Sequence, residues 1–312
     1  MGDEFSRIAT YFAPLAGVEA RGLMDDAAVL TPPPGRELVL TVDQMLEGVH
    51  FLPGDAPGLI ARKLLRRNLS DLAAMGAVPL GYLLTTALPP GTGEDWLAAF
   101  SAGLAEDQEC FNIKLFGGDS SSNLGGISLS ATLLGHVAPG AALGRGGARA
   151  GDEIWVTGTI GDAALGLRAR RGELLDDTGF LTSRSMLPQP RTGLELAGIV
   201  SAAIDISDGL LQDLGHVCRA SGVGAVVKAG LVPFSAQAAL FGPEYLEARL
   251  TEGDDYELLL AVPPGRAGAL TAACGALPVT KIGVFHAQAG VVALGLDGVP
   301  LNLKNAGWRH FI

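Results

Sequence analysis

Apolar residues recur along the chain with two periods. Residues 56–75 carry a helical stripe in which Leu65, Leu69 and Leu72 follow an i, i+4, i+7 spacing. Residues 209–220 carry another, with Leu210, Leu211, Leu214, Val217 and Cys218 on one face. Helices are also expected at 4–13, 94–110 and 161–171. Between them lie short runs rich in branched residues, the composition of strands. These are ELVLTVD (37–43), LGYLLTTAL (80–88), ISLSATLLGHV (127–137), EIWVTG (153–158), SAAID (201–205), YELLLAV (256–262) and KIGVFH (281–286). Strands and helices alternate in both halves, which predicts an α/β or α+β fold of two packed layers. APGAALGRGGARAGD (138–152) is dense in Gly, Ala and Pro and reads as a linker. We therefore expect an N-terminal domain over residues 1–140 and a C-terminal domain over 141–312. No short-period repeat is visible.

Composition narrows the class. Of 312 residues, 48% are hydrophobic and 18% charged, enough apolar material to exclude intrinsic disorder. The 44 glycines are roughly twice the usual ~7% share and follow no G-X-Y period, which points to tight turns and close backbone approaches. The net charge of −11 argues against a nucleic-acid partner. An anionic substrate stays compatible if metal ions stand between it and the carboxylates. No apolar stretch is long enough to span a membrane, and MGDEFSRIATYF is charged and amphipathic, unlike a signal peptide. Cys110, Cys218 and Cys274 are odd in number and far apart, as free thiols of a reducing cytoplasm would be.

Common catalytic signatures are missing. The chain has no P-loop motif, no protein-kinase H-R-D and D-F-G pair, no G-x-S-x-G elbow and no H-E-x-x-H. Its glycines at 144–151 do not follow a strand and open a helix, as a dinucleotide-binding turn requires.

What remains is a set of aspartates at element ends. They are Asp25 and Asp26 before AAVL, Asp43 ending a strand, Asp71 in NLSDLAAMGA, Asp119 in FGGDSS, Asp205 and Asp208 in DISDGL, and Asp254 and Asp255 in GDDYEL. Carboxylates beside Gly-rich turns suit hard cations such as Mg²⁺, and the backbone N–H groups of a turn such as Gly117–Gly118 can cradle a phosphate. Each also has a plainer reading. Asp43 can cap a turn, Asp71 can pair with Arg67 four residues earlier, and Asp208 stands where a helix N-cap belongs. Two details favour a metal. Asn68 and Asp71 share one helix face in a mostly apolar segment. Asp205 follows AAI at the mouth of a buried strand, where an unpaired carboxylate is costly without a cation. Ser207 falls on the same face as Asp205 if that strand continues.

GDEFSRIATYF, DDAAVL, TVDQMLEGVHF, ARKLLRRNLSDLAAMGAVP, FGGDSS, GARAGDEIWVTGTIGDAALGL, AIDISDGLLQDLGH, GDDYELL and GWRHF run in that order from end to end. With them the chain resembles the thiamine-monophosphate kinase family. That family sits in a larger group with aminoimidazole ribonucleotide synthetase, selenophosphate synthetase and a hydrogenase maturation protein. The resemblance implies the two-domain aminoimidazole ribonucleotide synthetase-like fold and a homodimer whose N-terminal domains join their sheets. It implies ATP and several Mg²⁺ ions in a cleft between protomers. The implied reaction converts ATP and thiamine monophosphate to ADP and thiamine diphosphate, with no covalent catalytic residue. On the matching positions, Asp26, Asp43, Asp71, Asp205 and Asp208 would bind Mg²⁺, and Thr41 and Val42 would contribute oxygens near the metals. Gly118 and Asp119 would contact the nucleotide phosphates and metal, and Arg145 and Ser207 would contact ATP. His50, Asp254 and Trp308 would line the thiamine phosphate site.

Some positions depart from the family pattern. Met24 replaces a Gly, Val42 replaces a Thr and leaves only its backbone carbonyl as a ligand, Ser120 replaces a Thr, and Asp254 replaces a Glu one methylene longer. His50 can also be a loop histidine bonded to backbone, Trp308 can pin the tail, and Arg145 stays solvated unless an anion is near. Two rivals come from the same superfamily. A selenophosphate synthetase is expected to carry a reactive Cys near its N-terminus, and none precedes Cys110. The hydrogenase maturation relative ends in a cysteine, whereas this sequence ends GWRHFI. A catalytically silent nucleotide-binding or scaffold protein is the third reading, against which the intact aspartates speak.

Overall fold

The computed structural model describes residues 4–303 and Gly307. They divide into two compact units. One holds residues up to Leu72 together with Ala77–Gly140; the other holds Ala73–Gly76 and the described residues from Ala141 onward. Trp308 lies outside the described residues.

The first unit opens with α1 (Glu4–Arg7), which passes directly into a π-helical turn, Ile8–Phe12. Then follow β1 (Glu37–Leu46), α2 (Pro57–Ala74), β2 (Val78–Leu88), α3 (Glu94–Phe111), β3 (Lys114–Ser122) and β4 (Ser128–Val137). The strands form one sheet in the order β1-β4-β2-β3. β4 is antiparallel to both neighbours, while β2 and β3 are parallel, as a strand–helix–strand crossover through α3 requires. One sheet face is apolar and covered. Met45, Tyr82, Leu129 and Leu133 pack with Leu64, Leu65, Leu69 and Leu72 of α2 and with Phe100 and Leu104 of α3, all fully buried. Each such leucine contributes about 1.5–3 kcal/mol relative to an exposed one. The two helices meet at glycines: a Cβ on Gly103 would lie 2.3 Å from the Gly58 carbonyl oxygen. The opposite sheet face stays open and carries Leu40 and Val42, each 62% exposed, with Leu38, Leu46 and Leu83.

The second unit contains β5 (Glu153–Thr157), α4 (Asp162–Arg170), α5 (Phe180–Met186), β6 (Ala202–Asp205), α6 (Leu210–Ser221) and β7 (Gly224–Lys228). It continues with α7 (Leu246–Thr251), β8 (Leu258–Val262), α8 (Ala267–Cys274), β9 (Val279–His286) and β10 (Gly290–Leu294). Its sheet has the order β10-β7-β9-β5-β8-β6. The stripe of α6 buries Leu210, Leu214 and Val217 against Ile204, Val227 and Leu259. β8 is buried at every position, and it reads in sequence as a continuous apolar run.

The α/β class with a sheet in each half is what the alternation of patterns predicts. Three local expectations are corrected. FGGDSS is part of strand β3 and not a turn. β6 stops at Asp205, so Ser207 lies in a loop. The strand expected from residue 256 begins at Leu258, because Tyr256 has φ 53°. Among the described residues, no helix is long and apolar enough to cross a membrane.

Candidate active site

Within the first unit the candidate ligands form two groups. Asp26 and Asp119 line a cavity of about 660 Å³ between residues 8–30 and strands β2–β4, together with Thr85, Gly117, Gly118 and Ser120. A β-bulge shapes its floor: Tyr82 pairs with Leu115 but Leu83 with Gly117, so Phe116 is the extra residue. Gly118 is obligatory, since a Cβ there would lie 1.8 Å from the Leu84 carbonyl oxygen. In an extended strand successive N–H groups point to opposite sides, so Gly117 and Gly118 do not form the phosphate nest expected of a turn.

The second group is Thr41, Asp43 and Asp71. The Thr41 hydroxyl donates to Asp71 Oδ2 at 2.6 Å, and Arg67 Nε stands 3.4 Å from Asp43 Oδ2. Asp43 is paired in register with Ala131, a buried residue facing the helices. Asp119 is paired with the exposed Thr85 on the open face. The sheet therefore stands between Asp119 and the Asp43–Asp71 group. Val42 alternates onto the open face, which leaves its carbonyl as the available oxygen.

His50 sits in the turn after β1. Its Nδ1 accepts the Leu46 N–H at 2.9 Å, and its carbonyl accepts from the buried Lys63 ammonium at 3.1 Å. With Nδ1 committed as acceptor, the neutral ring carries its proton on Nε2.

In the second unit, Asp205 ends β6 and is 2% exposed. Asp208 does not cap α6; Gly209 holds that position with φ 115°, where a Cβ would lie 2.4 Å from the Thr251 carbonyl oxygen. A carboxylate from inside the helix instead ties down the loop that precedes it. Asp213 Oδ2 accepts the N–H groups of Ser207 and Asp208 at 3.1 and 3.0 Å. Asp208, Asp213 and His216 each offer a ligand atom within 4.8 Å of the others. Burial first, then the charge of Asp205, pushes the Asp213 carboxyl up to about 8. Burial, Arg219 and Arg145 hold the His216 imidazole below its ordinary value, which places the Arg145 charge in this neighbourhood. Asp213 and His216 escaped the sequence reading. A signal for Asp213 was present, since it interrupts the apolar stripe between Leu210 and Val217.

The GDDYEL segment lies against the same loop. Asp254 and Tyr256 both adopt left-handed backbone, at φ 72° and 53°. The Asp254 N–H donates to the Ser207 carbonyl at 2.9 Å, the Tyr256 N–H to Ile206 at 2.8 Å, and the Ile206 N–H to Glu257 at 2.8 Å. The Tyr256 hydroxyl donates to Asp254 Oδ1 at 3.0 Å. Asp255 turns the other way, and its buried carboxylate accepts the N–H groups of Gly161 and Ala163 at 2.6 and 3.3 Å. Burial pushes it up to about 8, against the pull of those hydrogen bonds.

Aspartates grouped in each half, on two α/β sheets of this order, define a two-domain architecture with known relatives. Residues 24–137 match the family model described as AIR synthase related protein, N-terminal domain, and residues 149–294 match its C-terminal domain. The chain is 44% identical to the thiamine-monophosphate kinase of Caulobacter vibrioides, over 98% of this chain and 90% of that one. The crystal structure of thiamine-monophosphate kinase from Stenotrophomonas maltophilia superposes with a TM-score of 0.82 at 38% identity, covering 95% of each chain. A structure described as "AaThiL complexed with AMPPCP and TMP" superposes with a TM-score of 0.79 at 30% identity, covering 92% of this chain and 91% of that one. The chain belongs to the thiamine-monophosphate kinase family, within the AIR synthase-related group.

Proposed function

We propose that this protein transfers the terminal phosphoryl group of ATP to thiamine monophosphate, yielding ADP and thiamine diphosphate. The supporting observation is identity of 44% running through both units to a thiamine-monophosphate kinase. The relative solved with an ATP analogue and TMP supports the same pair of substrates.

The donor set suits Mg²⁺. It is made of hard oxygens, and the Asp213 carboxyl, raised by burial and then by the charge of Asp205, lies where a divalent cation would relieve repulsion. Asp26, Asp43, Asp71, Asp119, Asp205 and Asp208 would hold the ions, with the Thr41 hydroxyl and the Val42 carbonyl. Bound there, Mg²⁺ would neutralise the charge of the polyphosphate. The residues themselves then position. Gly118 and Asp119 line a cavity fit for the nucleotide, Ser207 offers a hydroxyl, and the planar fork of Arg145 suits a phosphate. His50, Asp254 and Trp308 would contact the acceptor, His50 through its Nε2–H. A flat indole stacks well on a cationic heteroaromatic ring. No nucleophilic side chain is required, because phosphoryl transfer depends on alignment and charge neutralisation.

We further propose a cytoplasmic homodimer. The open apolar face of the first sheet supports pairing of two copies there. The three cysteines, all free, fit a reducing compartment. Another ATP-dependent activity of the superfamily is the alternative; the likeness to the hydrogenase maturation protein HypE, at 20% identity, concerns the fold alone. A coupled ADP-release assay with Mg²⁺ and thiamine monophosphate, free thiamine or selenide as acceptor separates them. Thiamine monophosphate should be strongly preferred. Equal rates on free thiamine would overturn the acceptor assignment.

A further inference from the structure

We infer that Asp255 and Tyr256 are positioning residues for the acceptor, holding the Asp254 carboxylate in register with the loop that carries Ser207 and Asp208. This rests on the proposal that Asp254 contacts thiamine monophosphate. Left-handed backbone at a non-glycine residue is strained and persists only where the surroundings over-determine it. Here two such residues, Asp254 and Tyr256, stand one apart. Glycine at either position would remove the strain. The chain instead spends strain on presenting a carboxylate.

Three sets of contacts hold the strap. Its backbone is laced to residues 206–207 through the Asp254, Tyr256 and Ile206 N–H groups. Gly253 fits so closely that a Cβ would lie 1.9 Å from the Ser207 carbonyl oxygen. Asp255 pins the middle of the strap to Gly161 and Ala163 at the start of α4. Glu257 then stops it from sliding. Its buried carboxylate accepts from Thr157 Oγ1 at 2.7 Å, from Arg184 at 3.1 Å and from Arg191 Nε at 2.6 Å. The Tyr256 hydroxyl holds the Asp254 side chain itself. Asp255 and Tyr256 thus act through Asp254 and need touch no substrate.

The test is a double-mutant cycle on the full chain. Steady-state kcat and KM for both substrates are measured for D254A, Y256F, D255N, D254A/Y256F and D254A/D255N, with thermal unfolding as the folding check. D254A should raise the acceptor KM by about tenfold or more, and Y256F and D255N by about three- to tenfold, the scale of an ordinary lost hydrogen bond. The KM for ATP should stay within about twofold. In the D254A background, either second change should add less than about twofold, because its effect passes through the missing carboxylate. Additive effects there would overturn the inference and leave Asp255 and Tyr256 as parts of the scaffold. An unchanged acceptor KM in D254A would instead overturn the assignment of Asp254. If D255N does not fold, Y256F decides alone, since it deletes one hydroxyl and keeps the buried ring.

Discussion

Replacing Asp213 by Asn removes a titrating carboxyl at the entry to α6 while keeping its shape. In the folded chain this carboxyl is raised from 3.8 to about 8, by burial and then by the charge of Asp205. Folding therefore takes up a proton between those values. The stability it contributes is full below the unfolded pKa and is lost as pH rises through about 8. The slope is about 1.4 kcal/mol per pH unit for each proton. Asp255, also raised to about 8, adds a second proton. Between pH about 5 and 7.5 the Asp213 share amounts to at most about 3 kcal/mol. D213N lacks that share, yet its amide oxygen still accepts the Ser207 and Asp208 N–H groups. Urea unfolding in EDTA across this range should show the parent losing stability more steeply than D213N, with the curves meeting near pH about 4. Mg²⁺ held by Asp205 and Asp208 should flatten the parent profile, because a cation there favours the Asp213 carboxylate, and should leave the pH slope of D213N little changed. Parallel profiles in EDTA would refute the buried, raised carboxyl and the reasoning built on it.

Three further outcomes are expected. Asp107 is fully buried and holds Arg66 at 2.7 and 2.9 Å and Arg62 at 3.0 Å; D107A strands a buried guanidinium and should cost about 3–5 kcal/mol in unfolding experiments. G103A should cost about 1–3 kcal/mol, because α2 and α3 must separate to admit a Cβ, and a neutral result would mean the helices give way freely. L40E should shift sedimentation from dimer to monomer if the open face of the first sheet is the pairing surface, and an unchanged dimer would place the contact elsewhere.

The long elements were legible because their periods are unambiguous. The stripes of α2 and α6 and the branched runs of β1, β4 and β5 state both type and buried face. β3 was not legible. Gly117, Gly118 and three serines have little strand propensity, and they are extended because β2 pairs with them and no side chain fits at Gly118. The acidic residues were legible as a set, but their placement was not. Which side of the sheet Asp43 and Asp119 occupy depends on a register that also contains a bulge. The role of Asp213 in holding the 207–208 loop was hidden because Asp208 looks locally like a helix cap. The left-handed residues Asp254 and Tyr256 could not be read at all, since neither is a glycine and their conformation is imposed by the 206–207 loop.

The pairing of β1 with β4 sets a timetable for synthesis. Leu40 pairs with Leu134, so a ribosome making about 5–20 residues per second finishes the first strand roughly 5–20 s before its neighbour emerges. Throughout that interval an apolar ribbon, ELVLTVDQML, lacks its hydrogen-bonding mate, although both covering helices are made before β4. Pauses in translation between β1 and β4 lengthen the exposure, and pauses before β1 or well after β4 do not. Synonymous codons between β1 and β4 should therefore alter the soluble yield far more than those downstream.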